Sequence, residues 1–411
     1  MKRIRVLLLL TLLTSLAAGY AGRLFFPGKA VDERAQLRLL APAEEISEKG
    51  GAPPHYSLSN GSIAFNTFDI TPSVRGYAGP IRLLVILSPD GRISGVRIIG
   101  HQETKNYVHY MESPDYLNRL VGKSVHDPFL PDRDIDAITR ATVSVDALAR
   151  TLRESTRQVA SGVFGIRSRG GDTKGGQDIT WLWYLITSAA AFLLYLATRR
   201  TAGLLRTRDF VLAASVAVIG LYLSSPFSIL QVFNVLLGRF SASGLWYVVV
   251  ATTLLSTALA GRFYCGWLCP FGALSEFIGR IPARKWTIPQ EVDDRWRNIK
   301  YVVLTVITGV VLISGRTDYG NIETYVTLYS WNGTYLAWAL VAVTLAANLR
   351  ITRFWCRYLC PVAAFTGVLS RVSPGYPSRS DCPMGNRRDP LLSECIRCNR
   401  CYHTAAPGRK S

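Results

Sequence analysis

Five apolar runs between residues 181 and 347 constrain this chain more than any other feature of its sequence. Their cores are Trp181–Ala197, Phe210–Ser224, Leu245–Ala260, Ile299–Ser314 and Tyr335–Ala347. Hydrocarbon offers the backbone no hydrogen-bond partners, so a run that enters it folds as a helix, and about 20 residues are needed to cross. Several cores are shorter and are extended by their neighbours, the last by Asn348 and Leu349. A sixth stretch, Ile229–Leu237, reads as a re-entrant or interfacial piece.

The loops between the runs alternate in charge. Arg199, Arg200, Arg206 and Arg208 follow the first run; Arg262, Arg280, Arg284, Lys285, Arg295, Arg297 and Lys300 follow the third; Arg350, Arg353, Arg357 and Arg371 follow the fifth. The other two loops hold only Arg239, and Arg316 with Asp318 and Glu323. Basic loops face the cytoplasm, so these three and the C-terminus are expected inside. Ahead of them, Lys2, Arg3 and Arg5 precede an apolar run, Val6 to Ala18, that reads as a signal peptide or signal anchor. A retained anchor gives six spans with both termini inside, in a cytoplasmic (inner) membrane, and exports residues 22–180. The net charge of +19 also suits nucleic acid, but no helix-turn-helix or other reader motif is present. It is read instead as topology signal and attraction to membrane lipid.

The exported segment, residues 22–170, is mixed and polar. Ile81–Leu87 and Ile93–Ile99 alternate like strands around the turn Ser88-Pro89-Asp90-Gly91, and residues 143–160 look helical. These features describe a small α+β domain that ends in a glycine-rich linker around Gly170, Gly171, Gly175 and Gly176.

All eight cysteines lie after residue 264. A disulfide scaffold would place them in the exported part; short-spaced groups suit metal or cluster ligation in a reducing compartment. Arg262-Phe263-Tyr264-Cys265-Gly266-Trp267-Leu268-Cys269-Pro270 is repeated as Arg353-Phe354-Trp355-Cys356-Arg357-Tyr358-Leu359-Cys360-Pro361, at an offset of 356 − 265 = 91 residues. Two C-x3-C-P loops after equivalent runs can bring four thiolates together or serve two sites; the plain alternative is buried free cysteines. Further on, Cys395-Ile396-Arg397-Cys398-Asn399-Arg400-Cys401 has the C-x2-C-x2-C spacing that opens a bacterial-ferredoxin cluster loop. Its fourth cysteine would fall at Ala405, so Cys382 is the substitute ligand, and zinc is the rival to an iron–sulfur cluster.

In the exported part, Asp136-Ala137-Ile138-Thr139-Arg140-Ala141-Thr142-Val143-Ser144 precedes the apolar helix of Leu148 and Leu152. A helix start rich in small and hydroxyl residues accepts an anion such as phosphate; a simple N-cap is the alternative. The run resembles the flavinylation motif of exported FMN-binding domains, D-x-x-[ST]-G-A-T-x-[ST], with Arg140 in place of the glycine. Gly76-Tyr77-Ala78-Gly79-Pro80-Ile81 resembles the start of that domain. His101, Glu103 and His109 could line a flavin or a metal and are more commonly solvated loop residues.

The whole order resembles the NosR/NirI-type membrane flavoproteins and the related C-type accessory proteins of reductive dehalogenase operons. That resemblance implies a leading span (1–21), an exported FMN-binding domain (22–170), a five-span membrane domain (177–375) and a ferredoxin-like tail (376–411). The fold class is thus an α+β exported domain fused to a polytopic α-helical membrane domain. It further implies FMN phosphoester-linked at Thr142, with Asp136, Thr139, Ala141, Ser144, Gly76, Tyr77, Gly79 and Pro80 around it. A [4Fe-4S] cluster on the cysteines, transmembrane electron transfer and a redox-responsive transcriptional regulator are the associated expectations. A quinol or cytoplasmic donor and an exported reductase or its maturation factors would be the partners.

Overall fold

In a computed structural model, the described residues are 32–76, 79–101, 108–131, 133–138, 142–167, 179–241, 243–281, 284–286, 288–374 and 394–403, with 14, 17, 19–21, 103 and 382 singly. Contacts divide the chain into two units, Phe26–Asp178 with Gly238–Gly244, and Met1–Phe25, Ile179–Leu237 and Leu245–Ser411.

The first unit is α+β. Helix α1 (Glu33–Leu40) precedes β1 (Tyr56–Ser57), β2 (Ile63–Asn66), the short α2 (Thr67–Ile70), β3 (Arg82–Leu87) and β4 (Ile93–Gly100), and α3 (Pro114–Asn118) and α4 (Thr142–Val163) follow. The four strands form one antiparallel sheet in sequence order, with Phe65 opposite Val85 and Val85 opposite Val96. The expected hairpin is therefore present, turning at Gly91 in the left-handed region. Strand alternation explains how both faces are buried. Phe65, Leu83, Val85 and Leu87 join Val145, Leu148 and Leu152 in the main core, while Ala64, Leu84 and Ile86 point the other way, onto Leu37 and Leu58.

Glu33 ties α1 to this sheet region by accepting from Lys49 Nζ (2.7 Å), Tyr56 Oη (2.9 Å) and Asn66 Nδ2 (2.6 Å). Burial opposes its charge, but those bonds outweigh burial and hold its carboxyl below the ordinary 4.5.

The second unit is helical: α5 (Thr180–Arg200), α6 (Thr207–Ala214) running into a π-helix (Ser215–Tyr222), α7 (Ile229–Leu236), α8 (Gly244–Ala260), α9 (Pro270–Arg280), α10 (Gln290–Trp296), α11 (Ile299–Ser314), α12 (Thr324–Ser330), α13 (Tyr335–Arg350), α14 (Phe354–Tyr358), α15 (Pro361–Leu369) and α16 (Arg400–His403). Helices occupy all five positions of the apolar runs. Among the described residues, two are long and apolar enough to cross a membrane, Thr180–Arg200 and Gln290–Ser314; a third would be the pair α12 and α13, bent by 107°. The stretch 229–237 forms the short α7.

The cysteine repeat is the visible part of a larger duplication. The series α6/π, α7, α8, turn, α9 corresponds to α11, α12, α13, α14, α15, with 335 − 244 = 91 and 361 − 270 = 91. In each copy a short helix follows the first long one. α9 packs on the π-helix and α13, and α15 packs on α11 and α7. Gly220 in the π-helix is where the Tyr329 ring and Pro270 close in; a Cβ there would lie 2.6 Å from the ring.

Glu33→Gln is expected to remove a pH-dependent stabilisation. Because the folded carboxyl titrates below its unfolded value, that stabilisation is present above 4.5 and is lost as pH falls through the depressed value. Thermal unfolding followed from about pH 7 down to about pH 3 should fall less steeply in the variant than in the native chain.

Candidate functional site

The Cys-Pro pairs start helices. Proline is favoured at the first helical position and the preceding residue caps. Accordingly Cys269 and Cys360 are the N-caps of α9 and α15, and their sulfurs accept from Gly272 N and Ala363 N, both at 3.4 Å. A thiolate so placed also faces the positive helix end. Both copies use the same device, and they bring their cysteines together. Cys269 lies within electrostatic reach of Cys356 and Cys265, and Cys360 of the same two. Cys265 Sγ is 3.5 Å from Thr366 Oγ1 on α15. Burial pushes the thiols of Cys269, Cys356 and Cys360 up, as do the neighbouring cysteines, while Arg353 pulls Cys269 and Cys356 down.

The tail cysteines form a second set. Arg397 and Asn399, on either side of Cys398, are in the left-handed region, which curls the loop and turns its thiols inward. Cys398 packs with Cys382, Cys401 with Cys395, and Cys395 senses both Cys398 and Cys382. Cys382 thus stands with the loop it was expected to complete. Burial pushes Cys395 up to about 12. Among the described residues no three His, Cys, Asp or Glu side chains close on a single ion as they stand; the sets are groups of neighbours.

Charged residues that the sequence reading treated as topology signals are buried around these thiols. Arg262 and Arg353, equivalent in the repeat, are 0% and 1% exposed. Arg353 donates to Cys265 O (2.8 Å) and Glu276 Oε2 (2.7 Å), and Arg208 donates to both oxygens of Glu276 (2.6 and 2.8 Å) and to Gly266 O (2.8 Å). Burial alone would raise the Glu276 carboxyl; Arg353 and Arg208 hold it far below the usual range. Arg262 donates to Glu394 (3.2 Å), which also accepts from Lys300 (2.5 Å).

Among the described residues of this unit, six cations are buried (Arg208, Arg262, Arg297, Lys300, Arg353, Arg397) against four carboxylates (Glu276, Asp293, Glu323, Glu394), an excess of 6 − 4 = 2. Burial pushes Glu323 up to about 7 and Lys300 down to about 8, so it opposes the charge of both signs. Among the described residues, Arg262 Nε and Nη2 and Arg353 Nε have no hydrogen-bond partner. A buried N–H left unbonded is costly, so these atoms call for an acceptor beside them. A [4Fe-4S] core on four thiolates has a net charge of about −2 and accepts hydrogen bonds at its sulfurs. Donor type, charge and orphaned N–H groups all fit it.

In the α+β unit, Gly76 N donates to Gly79 O (2.7 Å), and Pro80 is half-buried. Ser144, 3% exposed, donates to Glu103 Oε2 (2.7 Å). A Cβ at Gly76 would collide with Glu103, so this buried carboxylate joins the two segments that the flavin resemblance had picked out separately. Asp136 is exposed, pairs with Arg119, and takes Tyr116 Oη on its carbonyl (3.0 Å). Tyr116 is pushed up to about 12 by burial and by Asp136. His101 pairs with Glu112 (2.8 Å) and His109 lies edge-on to Tyr110. Tyr77, Thr139 and Ala141 lie outside the described residues; Thr142 is described only as the first residue of α4.

Comparison with known proteins matches both halves. Residues 76–156 match the FMN-binding domain family, and residues 243–289 and 331–378 match the 4Fe-4S binding domain family. The chain is 31% identical over 231 residues to Protein NirI of Paracoccus denitrificans, covering 48% of this chain and 34% of that protein. It is 29% identical over 214 residues to Regulatory protein NosR of Pseudomonas aeruginosa (47% and 30%), and 31% identical over 170 residues to Putative electron transport protein YccM of Escherichia coli (38% and 43%). The chain is similar to flavoproteins of the NosR/NirI type. Its cofactors are FMN and an iron–sulfur cluster. The chain spans about a third of the length of these first two relatives. The matched cluster segments contain Arg262, Arg353 and Glu276 as well as four cysteines. Arginine at equivalent positions of a repeat was the legible signal for the first two; nothing in the local sequence marked Glu276 or Glu394 as their partners.

Glu276→Ala should destabilise the fold by about 3–5 kcal/mol, because Arg208 and Arg353 are left buried and unpaired. Arg280→Ala, which removes a partly exposed partner of the same carboxylate, should cost under about 1 kcal/mol. Thermal unfolding of the two variants in detergent checks the contrast.

Proposed function

We propose that this chain carries electrons across a membrane, between cysteine-held iron–sulfur sites and an FMN covalently held at Thr142 in an exported domain. The observation that carries the reading is the meeting of Cys265, Cys269, Cys356 and Cys360, from both copies of the repeat, beneath an excess of buried cations. These four thiolates hold one cluster; Cys382, Cys395, Cys398 and Cys401 hold the second site. Bound there, iron–sulfur clusters exchange single electrons, and FMN exchanges one or two. The residues contribute the rest. Arg262 and Arg353 favour the thiolate state, aromatic side chains exclude water, and Glu103 and Ser144 fix the flavin-bearing segment.

Asp136, Gly76, Tyr77, Gly79, Pro80, Thr139 and Ala141 complete the flavin surroundings in this reading. Charge bias places the basic loops and tail in the cytoplasm and the flavin unit outside the inner membrane. A quinol or cytoplasmic reductant is the donor, and an exported reductase or its maturation factors the recipient. Relatives carry the name Regulatory protein NosR, which favours a second reading in which the same cofactors report redox state to transcription. Removing residues 380–411 distinguishes the two: loss of target transcription while electron flow continues supports the regulator.

Anaerobically purified protein should contain iron and FMN and little zinc. Thr142→Ala should lose in-gel flavin fluorescence after denaturation and keep its iron, whereas Cys265→Ser and Cys356→Ser should lower iron equally and keep the flavin. Zinc without iron, or flavin retained covalently by Thr142→Ala, would overturn the respective assignment.

A further inference from the structure

The two copies of the repeat differ where it matters for the tail. The first loop reads Cys265-Gly266-Trp267-Leu268-Cys269 and the second Cys356-Arg357-Tyr358-Leu359-Cys360. At Gly266 the Ile396 carbonyl of the tail lies so close that any Cβ would collide with it. Next to it, Trp267 Nε1 donates to Arg397 O at 2.9 Å, and Trp267 is 0% exposed. In the second loop the same two positions are turned elsewhere: Arg357 and Tyr358 both bond Asp293 (2.8 and 2.7 Å).

The charges show the same asymmetry. Arg353 of the second copy finds its carboxylate, Glu276, on the first copy's helix. The equivalent of Glu276 in the second copy is position 276 + 91 = 367, a glycine. Arg262 therefore lacks a partner from the repeat, and the tail supplies it as Glu394, shared with Lys300 and Tyr301. Asn399 fixes the far end of the loop by donating to Tyr195 O and Thr198 Oγ1, both at 2.7 Å.

We infer that the first C-x3-C-P loop is the built-in seat of the tail cysteine loop, with Gly266 as the residue that admits it and Glu394 as its positioning residue. The two thiol sets then work as one fixed pair of centres, with no swinging tail. In the exchange one centre is oxidised by one electron as the other is reduced by one, and no bond or proton moves. This inference rests on the iron–sulfur reading above only for the exchange; the seating is a property of the polypeptide.

Two measurements on the full chain test it. The first is alkylation of the metal-free protein by a maleimide, read cysteine by cysteine by mass spectrometry. In the native chain Cys398 and Cys401 should react as slowly as Cys265, Cys269, Cys356 and Cys360. Gly266→Ala should expose the tail thiols and leave those four protected. Trp267→Phe removes only the hydrogen bond to Arg397 and covers the case in which the glycine variant unfolds. It should speed Cys398 labelling by up to about tenfold. Tail thiols that react like free cysteine in the native chain, or a Trp267→Phe variant with native rates, would overturn the seating.

The second is electron paramagnetic resonance of dithionite-reduced, iron-loaded protein. Spin–spin broadening in the native chain that disappears in Glu394→Gln at unchanged iron supports paired centres. Two isolated signals in the native chain overturn them. A preparation without iron would instead remove the proposed function and leave the alkylation result standing.

Discussion

The helical unit is organised around buried guanidinium groups that no solvent can screen. Arg262 and Arg353 sit at matched ends of two long helices, each facing cysteines and each tied to one carboxylate. Removing such charges from water costs several kcal/mol per ion before any pairing is counted. The arrangement persists because Glu276 and Glu394 are brought to them from elsewhere in the chain. Excess positive charge and orphaned N–H groups are two expressions of one condition, a site that suits an anion; burial, which raises the thiols, works against it.

Duplication supplies the geometry. One Cys-Pro capping device, used twice at a spacing of 91 residues, places Cys269 and Cys360 at helix starts, each following its loop partner by four residues. Helix packing then needs to bring together only two rigid turns rather than four independent residues. The duplication is imperfect in an informative way. Gly266 against Arg357, and Glu276 against Gly367, break the equivalence at the positions that receive the tail. A short ferredoxin-like loop lacking its usual fourth cysteine is thereby held against the protein, with Cys382 beside it.

The α+β unit uses a different balance. Its sheet is buried on both faces, and an interior carboxylate, Glu103, links Ser144 in the first turn of α4 to the Gly76 segment. The motif residues were readable as a flavin-type segment from sequence. The bridging carboxylate was visible only as one of several loop residues after the second strand, where a solvated role was the ordinary expectation; burial to 2% decided otherwise.

The sequence by itself determined the helices, the hairpin, the two cysteine loops and the tail spacing, because each depends on local periodicity, turn chemistry or a fixed residue interval. Six apolar segments were legible for the same reason, although their lengths separated full spans from broken ones only after the bend between α12 and α13 was seen. What only the tertiary structure decided is which charges meet. Glu394 lies 394 − 262 = 132 residues from Arg262, and Glu276 lies 353 − 276 = 77 residues from Arg353. No local pattern encodes pairs so distant, since their energies arise when packing removes both partners from water at once. The five apolar runs still define the frame, and the buried arginines between them, legible only as topology signals, hold its cysteines in place.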